Sequence, residues 1–222
     1  MNVLITGANR GLGLGFVHHY LAHGWQVWAC HRSECEALKG LHSDALHTVC
    51  WDVGENTEPQ GLLPDKLHLL INNAGVYGPG SGGQSLDLIV PEAMLEVFNT
   101  DCIGPVRVVQ RLKSSLIAGQ AAIANISSKM GSTGDNSSGG AYAYRAAKAG
   151  LVIVSKSMAV DLQSYGIRVV TLHPGWVQTD MTHQTGLIDI ETSIAGMTQV
   201  IENIDDYELG QFVAFNGSIV PY

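Results

Sequence analysis

The stretch Thr6-Gly7-Ala8-Asn9-Arg10-Gly11-Leu12-Gly13 follows a short β-branched run and precedes apolar residues at helical spacing. Its three glycines permit a tight turn and let backbone N–H groups approach an anion, whose charge the start of the next helix stabilises. The spacing G-x-x-x-G-x-G at a strand-to-helix turn therefore indicates a binding site for a nucleotide pyrophosphate. A glycine-rich turn that binds no ligand is the alternative when this stretch is considered alone.

Short apolar runs alternate with helix-like stretches along the whole chain. The predicted strands lie at residues 3–6, 26–30, 47–51, 67–72, 121–127, 168–173 and 212–215, and the longer predicted helices at 91–117, 142–164 and 191–203. A first helix is predicted to end near Gly24, and loops are predicted at 78–85 and 131–140. Strands that are apolar on both faces and alternate with helices are typical of a parallel sheet covered on both sides. We therefore expect one doubly wound α/β domain of Rossmann type over residues 1–222, with about seven parallel strands.

The composition of the 222-residue chain excludes several classes of protein. Apolar residues make up 45% of the chain, which excludes wholesale disorder, and a net charge of −8 argues against a nucleic-acid partner. No apolar run approaches the roughly 18 residues of a membrane span, and the N-terminus lacks the basic and apolar regions of a secretory signal. We expect a cytoplasmic protein with no membrane partner.

Cysteine and histidine spacing gives no indication of a metal site. Cys30, Cys35, Cys50 and Cys102 form no CxxC pair, so we expect reduced core thiols and no disulfide framework. No histidine pair encloses a glutamate in the zinc-enzyme pattern H-E-x-x-H. The chain also lacks the G-x-S-x-G elbow of α/β hydrolases and the G-K-[ST] element of P-loop proteins.

Four further landmarks follow the glycine-rich turn in order. They are Asn72-Asn73-Ala74-Gly75, Ser127-Ser128, Tyr144-Arg145-Ala146-Ala147-Lys148 and Pro174-Gly175-Trp176-Val177-Gln178-Thr179-Asp180-Met181. Together the five span residues 6–181, and the chain resembles the short-chain dehydrogenase/reductase family, whose fingerprints include T-G-x-x-x-G-x-G, N-N-A-G and Y-x-x-x-K. The segment 125–145 and the C-terminal segment are similar to the subgroup of C-factor and Sniffer-type carbonyl reductases.

The Y-x-x-x-K pair carries the predicted chemistry. Tyr144 and Lys148 are four residues apart and share one face of a helix. A phenol has a pKa near 10, and a nearby lysine cation favours the phenolate, which eases proton donation to a carbonyl oxygen. The resemblance implies that Tyr144 is the general acid/base, that Ser128 orients the substrate oxygen, and that Lys148 assists and binds the ribose hydroxyls.

One position departs from the pattern of the family. The family usually carries Asn in an N-x-x-G element of the long central helix, where it contributes to a proton relay through water to the lysine. Aligned on Gly104, that position holds Asp101, while Asn99 lies two residues too early. The alignment adds Asp101 to the predicted catalytic set. An ionised Asp101 that pairs with Lys148 would weaken the effect of the lysine on Tyr144, which affects efficiency and not the class of reaction.

The choice of cofactor depends on the end of the second strand. An acid there binds the ribose 2′-hydroxyl of NAD, whereas an arginine accommodates the 2′-phosphate of NADP. The strand ends in Ala29-Cys30-His31-Arg32 with no acid before Ser33, and Arg10 lies in the first loop. NADP(H) is therefore favoured over NAD(H); the alternative is that Arg32 is a solvated turn residue.

The resemblance implies further cofactor contacts. Asp52-Val53 resembles the adenine-contacting pair of the family, and residues 73–75 are expected to line the ribose wall. The predicted cofactor set is Gly7, Asn9, Arg10, Gly11, Leu12, Gly13, Arg32, Asp52, Val53, Asn73, Ala74, Gly75, Tyr144, Lys148, Pro174, Gly175, Val177 and Thr179.

The resemblance implies an NADP-dependent oxidoreductase that interconverts an aldehyde or ketone and an alcohol by hydride transfer. A nucleotide-binding regulatory or signalling protein of the same fold is the alternative, which Asp101 favours. The helices predicted at 91–117 and 142–164 also carry more apolar residues than one face needs, which predicts a homodimer or tetramer unless these residues pack within one subunit. The residues are Val106, Val108, Val109, Leu112, Leu151, Val152, Ile153 and Val154.

Overall fold

The computed structural model describes residues 1–33, 35–80 and 82–222 and contains one parallel seven-stranded sheet in this part of the chain. The strands are β1 (Asn2–Thr6), β2 (Gln26–His31), β3 (Leu46–Cys50), β4 (Leu69–Asn72), β5 (Ala122–Ile126), β6 (Arg168–His173) and β7 (Phe212–Ala214). Their order in the sheet is β3-β2-β1-β4-β5-β6-β7, so the chain reverses its direction of winding between β1 and β4. The expected doubly wound α/β fold is confirmed, and in such folds ligands bind beyond the strand ends at this reversal.

Helices cover both faces of the sheet. They are α1 (Gly11–Ala22), α2 (Glu36–Lys39), α3 (Pro91–Phe98), α4 (Gly104–Gly119), α5 (Tyr142–Leu162) and α6 (Ile190–Glu202). Helices α1 and α6 pack on one face, and α4 and α5 pack on the other. Strand β1 shows why both faces must be covered: Val3 and Ile5 are buried beneath α1 and α6, while Leu4 between them is buried with α4 and α5.

The helix predicted at residues 91–117 is not continuous. A π-helix, Asn99–Ile103, separates α3 from α4. A π-helix is wider than an α-helix and is frequent at functional sites, because it changes the direction in which the following side chains point. Here Asp101 is fully buried within this turn. The hydrophobic pattern of residues 91–117 is similar on both sides of the π-helix, and for this reason it predicted one helix.

The predictions for the cysteines and for the two loops are only partly confirmed. Cys30 and Cys102 are core thiols as predicted, but Cys50 is exposed because it ends the edge strand β3. The regions predicted as loops at 78–85 and 131–140 are irregular apart from a 3₁₀ turn that ends at Gly131, and Ser81 lies outside the described residues. No helix in the described part of the chain is both long and apolar enough to cross a membrane.

The eight additional apolar residues predicted on the helices at 91–117 and 142–164 are mostly buried within the chain. Of the eight residues singled out, only Ile153 is exposed, at 64%. Val106 and Val154 are partly buried against the core cluster between the sheet and the helices α4 and α5. The prediction of a subunit interface from these eight residues is therefore weakened, since the alternative of packing within one subunit accounts for seven of them.

Candidate active site

A cavity of about 470 Å³ opens at the carboxyl ends of the central strands, where the direction of winding reverses. Fifteen of the predicted site residues line it: Gly7, Asn9, Arg10, Gly11, Leu12, Arg32, Asp52, Val53, Asn73, Ala74, Gly75, Tyr144, Lys148, Pro174 and Thr179. The cavity therefore joins the glycine-rich turn, the end of the second strand and the Y-x-x-x-K helix, which are far apart in sequence.

The glycine-rich turn forms one wall of this cavity. Gly7 and Gly11 have φ angles of +63° and +52°, in the left-handed region that favours glycine. A Cβ atom on Gly13 would lie 2.0 Å from the carbonyl oxygen of Gly7, so this glycine lets α1 start directly beneath the turn. The start of α1 has neither a capping side chain nor an acidic residue in its first turn. Its free N–H groups fit the phosphates of a nucleotide cofactor.

The N-N-A-G segment is bound to this turn through Thr6. The Thr6 hydroxyl accepts hydrogen bonds from the backbone N–H groups of Asn73 and Ala74, both at 3.0 Å. The side-chain amide of Asn73 donates to the carbonyl oxygens of Thr6 and Gly7 at 3.0 and 3.2 Å. These four bonds fix the ends of β1 and β4 side by side and shape the floor of the cavity.

Helix α5 brings the predicted catalytic residues together. Tyr144 and Lys148 lie on its buried face, with the Lys148 ammonium 5.6 Å from the centre of the Tyr144 ring. Lys148 Nζ also donates to the carbonyl oxygen of Ile126 at 3.0 Å, which anchors it at the end of β5. Ser128 follows that strand, and its hydroxyl accepts a hydrogen bond from the N–H of Met130 at 3.2 Å. The three side chains thus lie together at the carboxyl end of β5.

The electrostatic environment favours a protonated phenol. Burial raises the pKa of Tyr144; the Lys148 ammonium and a hydrogen bond from Ser128 lower it, and the Asp101 carboxylate raises it. Burial opposes the charged form of Lys148, but Asp101 and Tyr144 outweigh this effect, so the pKa of Lys148 lies above its ordinary value. Tyr144 therefore carries its proton, and Lys148 its charge, at neutral pH.

Asp101 lies behind the tyrosine–lysine pair. Its Oδ1 accepts a hydrogen bond from the Val76 N–H at 2.8 Å, and its Oδ2 lies 3.1 Å from Lys148 Nζ in an ion pair that lacks the alignment of a hydrogen bond. Burial raises the pKa of this carboxyl, against the opposing effects of Lys148 and of the Val76 N–H. The anticipated pairing of Asp101 with Lys148 is thus confirmed.

The two predicted phosphate-binding arginines lie at the other end of the cavity. Arg10 and Arg32 both line it. Arg32 has a side chain 66% exposed, and its guanidinium lies 3.7 Å from the Asp52 carboxylate, whose other oxygen accepts from the Gly54 N–H at 2.9 Å. This weak ion pair leaves most of the guanidinium available to an anion, which fits a phosphate near the end of β2.

Asn99, which lies two residues before the position expected for the family's asparagine, has a structural role beside the segment after β3. Its amide donates to the carbonyl oxygen of Gly54 and accepts from Arg107, whose guanidinium also donates to the carbonyl oxygen of Val53 at 3.1 Å. Asn99 and Arg107 therefore hold the segment after β3 in place. No local pattern in the sequence indicates this support.

Five predicted site residues are absent from the lining of the cavity, and one of them is Asp101, which lies behind Lys148. Gly13 lies beneath the turn, and Gly175 has a φ angle of +88° in a turn packed on Ile188. Val177 is buried and bridges to Ile188, and Ser128 lies beside Tyr144. Tyr142, the other tyrosine at the start of α5, is 38% exposed and does not line the cavity either.

Several lining residues are not members of the predicted catalytic and cofactor sets, although Ser127, Asp180 and Met181 belong to the landmarks named above. The lining residues outside those sets are Ser33, Trp51, Val76, Thr100, Ile126, Ser127, Asp180 and Met181. Most of them are direct neighbours of predicted residues, so extending each motif by one residue would have found them. Ser127 also donates from its hydroxyl to the carbonyl oxygen of Lys148 at 3.0 Å, which fixes α5 to the end of β5.

Comparisons with known proteins agree with this geometry. A family model described as short chain dehydrogenase matches residues 1–187. The C-signal protein of Myxococcus xanthus is 38% identical over 157 residues, which are 70% of this chain and 93% of that protein. Both matches are matches of sequence.

Solved structures extend the likeness over the whole chain. The NADPH-bound carbonyl reductase from chicken fatty liver is 31% identical, with a TM-score of 0.88 over 100% of this chain and 98% of that chain. The carbonyl reductase Sniffer of D. melanogaster is 29% identical, with a TM-score of 0.89 over 100% of this chain and 99% of that chain. The similarity to this subgroup, which the motifs indicated, is therefore confirmed. With the match over residues 1–187, these findings show that the chain belongs to the short-chain dehydrogenase family of oxidoreductases.

Proposed function

We propose that this protein reduces an aldehyde or ketone to an alcohol with NADPH, using Tyr144 as the general acid. The observation that carries the proposal is one cavity lined both by Tyr144 and Lys148, with Ser128 next to the phenol, and by Arg10 and Arg32. A proton source and a site for an anionic nucleotide are thereby joined in one cleft. The solved relatives described as carbonyl reductases, one of them bound to NADPH, support the same reaction.

The roles of the residues follow from their environment. The cofactor, held by the glycine-rich turn and the two arginines, would supply the hydride for the carbonyl carbon when it is bound. The Tyr144 phenol, kept protonated by burial, donates its proton to the carbonyl oxygen, and the Lys148 ammonium stabilises the phenolate that remains. The Ser128 hydroxyl, next to the phenol, orients the same oxygen. Reprotonation of Tyr144 from solvent completes the cycle.

The preference for NADP(H) over NAD(H) rests on the two arginines. The glycine-rich turn and the free N–H groups at the start of α1 would hold the pyrophosphate. Arg32, aided by Arg10, would bind the 2′-phosphate that distinguishes NADPH from NADH. Asp52 lies near this position, but its pairing with Arg32 and with the Gly54 N–H reduces its capacity to accept from a ribose hydroxyl.

A regulatory or signalling role is the second candidate function. It is supported by the C-signal relative at 38% identity and by Asp101, which pairs directly with Lys148. In this case the cleft would bind a nucleotide without turnover. The deciding experiment follows NADPH oxidation by absorbance with a panel of aldehydes, ketones and quinones. Turnover that is lost in Tyr144→Phe supports the reductase; tight NADPH binding without turnover of any carbonyl supports the second candidate.

We also propose that the chain self-associates. The face of α5 that points away from the sheet exposes Ile153 and Val160, at 64% and 55%, and Leu95 on α3 is 70% exposed. A homodimer would cover part of this apolar surface. Light scattering behind size exclusion tests the idea, and a mass near 23.7 kDa at all concentrations would contradict it.

A further inference from the structure

We infer that Gln84 is a positioning residue that locks residues 76–80 to the amino terminus of the helix carrying Tyr144. The inference rests on the proposed reductase function and deepens it. Gln84 lies in the irregular segment between β4 and α3, yet only 4% of it is exposed. A buried glutamine needs partners for both ends of its amide, and the partners found here belong to two different parts of the site.

The acceptor end of Gln84 caps α5. The residue before this helix is Ala141, which has a φ angle of +49° and no side chain that can cap it. The first hydrogen bond of the helix runs from the Arg145 N–H to the carbonyl oxygen of Ala141, so the earlier N–H groups need other acceptors. Gln84 Oε1 accepts from the Tyr144 N–H at 3.0 Å, and its own carbonyl oxygen accepts from the Tyr142 N–H at 3.4 Å.

The donor end of Gln84 holds the loop. Gln84 Nε2 donates to the carbonyl oxygen of Tyr77 at 2.6 Å and lies 3.5 Å from that of Pro79. The chain between these residues turns tightly at Gly78, where φ is +90° and a Cβ atom would lie 2.7 Å from Val97. Position 78 therefore has no room for a side chain. The Gln84 amide instead holds the turn through its contacts with the carbonyl oxygens of Tyr77 and Pro79.

The consequence lies at Tyr77. Its ring centre is 5.0 Å from that of Tyr144, and the ring is 37% exposed on the open side of the cleft. One side-chain amide therefore fixes both the general acid and the aromatic group beside it. We expect Tyr77 to contact the carbonyl substrate, because its ring lies beside that of the proposed general acid and is partly exposed.

The test compares Gln84→Met, which has a similar length but no hydrogen bonds, with the wild type and with Ile201→Val, a mild core truncation in α6 that controls for lost stability. For Gln84→Met we expect a kcat about tenfold lower and a raised KM for the carbonyl, because small displacements of reacting groups reduce rates strongly. The Kd for NADPH should stay within about twofold, since the phosphate end is untouched. If kcat and KM equal those of Ile201→Val, the assignment is wrong.

Amide hydrogen exchange provides a readout that does not depend on turnover. The Tyr144 N–H should exchange at least about tenfold faster in Gln84→Met than in Ile201→Val, because its acceptor is lost. Tyr77→Ala keeps the hydrogen bonds of Gln84 to the backbone of residues 77 and 144. The KM for the carbonyl should therefore rise while the Tyr144 N–H stays protected. Fast exchange in Tyr77→Ala, or unchanged exchange in Gln84→Met, would overturn the inference. If the wild type reduces no carbonyl, the proposed function fails. The exchange result still decides whether Gln84 holds the Tyr144 N–H.

Discussion

The carboxylate of Asp101 and the ammonium of Lys148 form a buried ion pair, with Oδ2 3.1 Å from Nζ and side chains that are 0% and 5% exposed. Removing one partner of a buried pair leaves an uncompensated charge, which typically destabilises a protein by about 3–5 kcal/mol. The negative charge of Asp101 also acts on the active site, because it raises the pKa values of both Lys148 and Tyr144. Asp101 is thus electrostatically coupled to the proposed general acid.

Replacing Asp101 with Asn should move the pH dependence of catalysis. Carbonyl reduction needs protonated Tyr144, so its rate falls as pH rises through the pKa of that phenol. Asn removes the negative charge that raises this pKa, and the alkaline limb of kcat for reduction should shift to lower pH. Asp161→Asn, which changes an exposed acid on α5, the helix that carries Tyr144, is the control. An unchanged limb in Asp101→Asn would refute the coupling.

Tyr144→Phe should abolish turnover without loss of the fold. The substitution removes only the hydroxyl, so the ring still packs beside Tyr77 and NADPH still binds. We expect kcat to fall by orders of magnitude, since general acid catalysis typically contributes about 10²–10⁴-fold. Turnover is measured on a confirmed substrate, and NADPH binding by fluorescence. Near wild-type turnover in this variant would show that another group donates the proton.

Arg32→Ala should discriminate between the two nicotinamide cofactors. Loss of a charge-assisted contact typically costs about 1.5–3 kcal/mol, so NADPH should bind at least about tenfold more weakly while NADH is nearly unaffected. Fluorescence titrations with both cofactors measure the effect. Arg111→Ala, in which an exposed arginine loses its pairing with Glu58, is the matched control. Equal losses for NADPH and NADH would remove Arg32 from the phosphate site.

Gly13→Ala should disrupt the cofactor turn by steric overlap. The added Cβ atom would lie 2.0 Å from the Gly7 carbonyl oxygen and 2.7 Å from the Asn73 amide, so the turn must shift. We expect a lower melting temperature and weaker binding of both nicotinamide cofactors. Gly40→Ala is the control, since Gly40 has helical φ and ψ angles and its nearest neighbour would be 3.4 Å away. Wild-type affinity in Gly13→Ala would contradict the packing described for α1.

His173 should make the protein less stable in mild acid. Burial and the Lys129 cation together lower the pKa of this imidazole to about 4, against the opposing effect of Asp135. The unfolded chain binds the proton near pH 6.5, so stability is complete above that pH and is lost as pH falls toward 4. The slope should reach up to about 1.4 kcal/mol per pH unit.

The variant His173→Asn tests this dependence. An Asn oxygen can accept from the Lys129 N–H as the imidazole Nδ1 does at 3.3 Å, but it does not titrate. Denaturant unfolding between about pH 4 and 7 should therefore show a flatter dependence of the free energy of unfolding on pH in the variant. The same slope in both proteins would assign the acid sensitivity to other groups.

The sequence by itself determined the features that depend on local spacing. A glycine-rich turn after a strand, a polar pair at the end of β4 and a lysine four residues after a tyrosine each define a short piece of backbone. Parallel strands end at the same edge of the sheet, so these pieces had to meet there. The fold class, the cavity and the cluster around Tyr144 followed from these local patterns.

Tertiary structure decided the features that depend on contacts between distant residues. The π-helix turns Asp101 onto Lys148, and a change of one residue in a helix rotates side chains by about 100°, which the hydrophobic pattern does not register. Gln84 reaches the Tyr144 N–H across 60 positions of the sequence, and Asn99 supports the segment after β3 across 45. Such contacts arise from the way loops pack on helices, because burial forces each polar group to find a partner wherever the chain provides one.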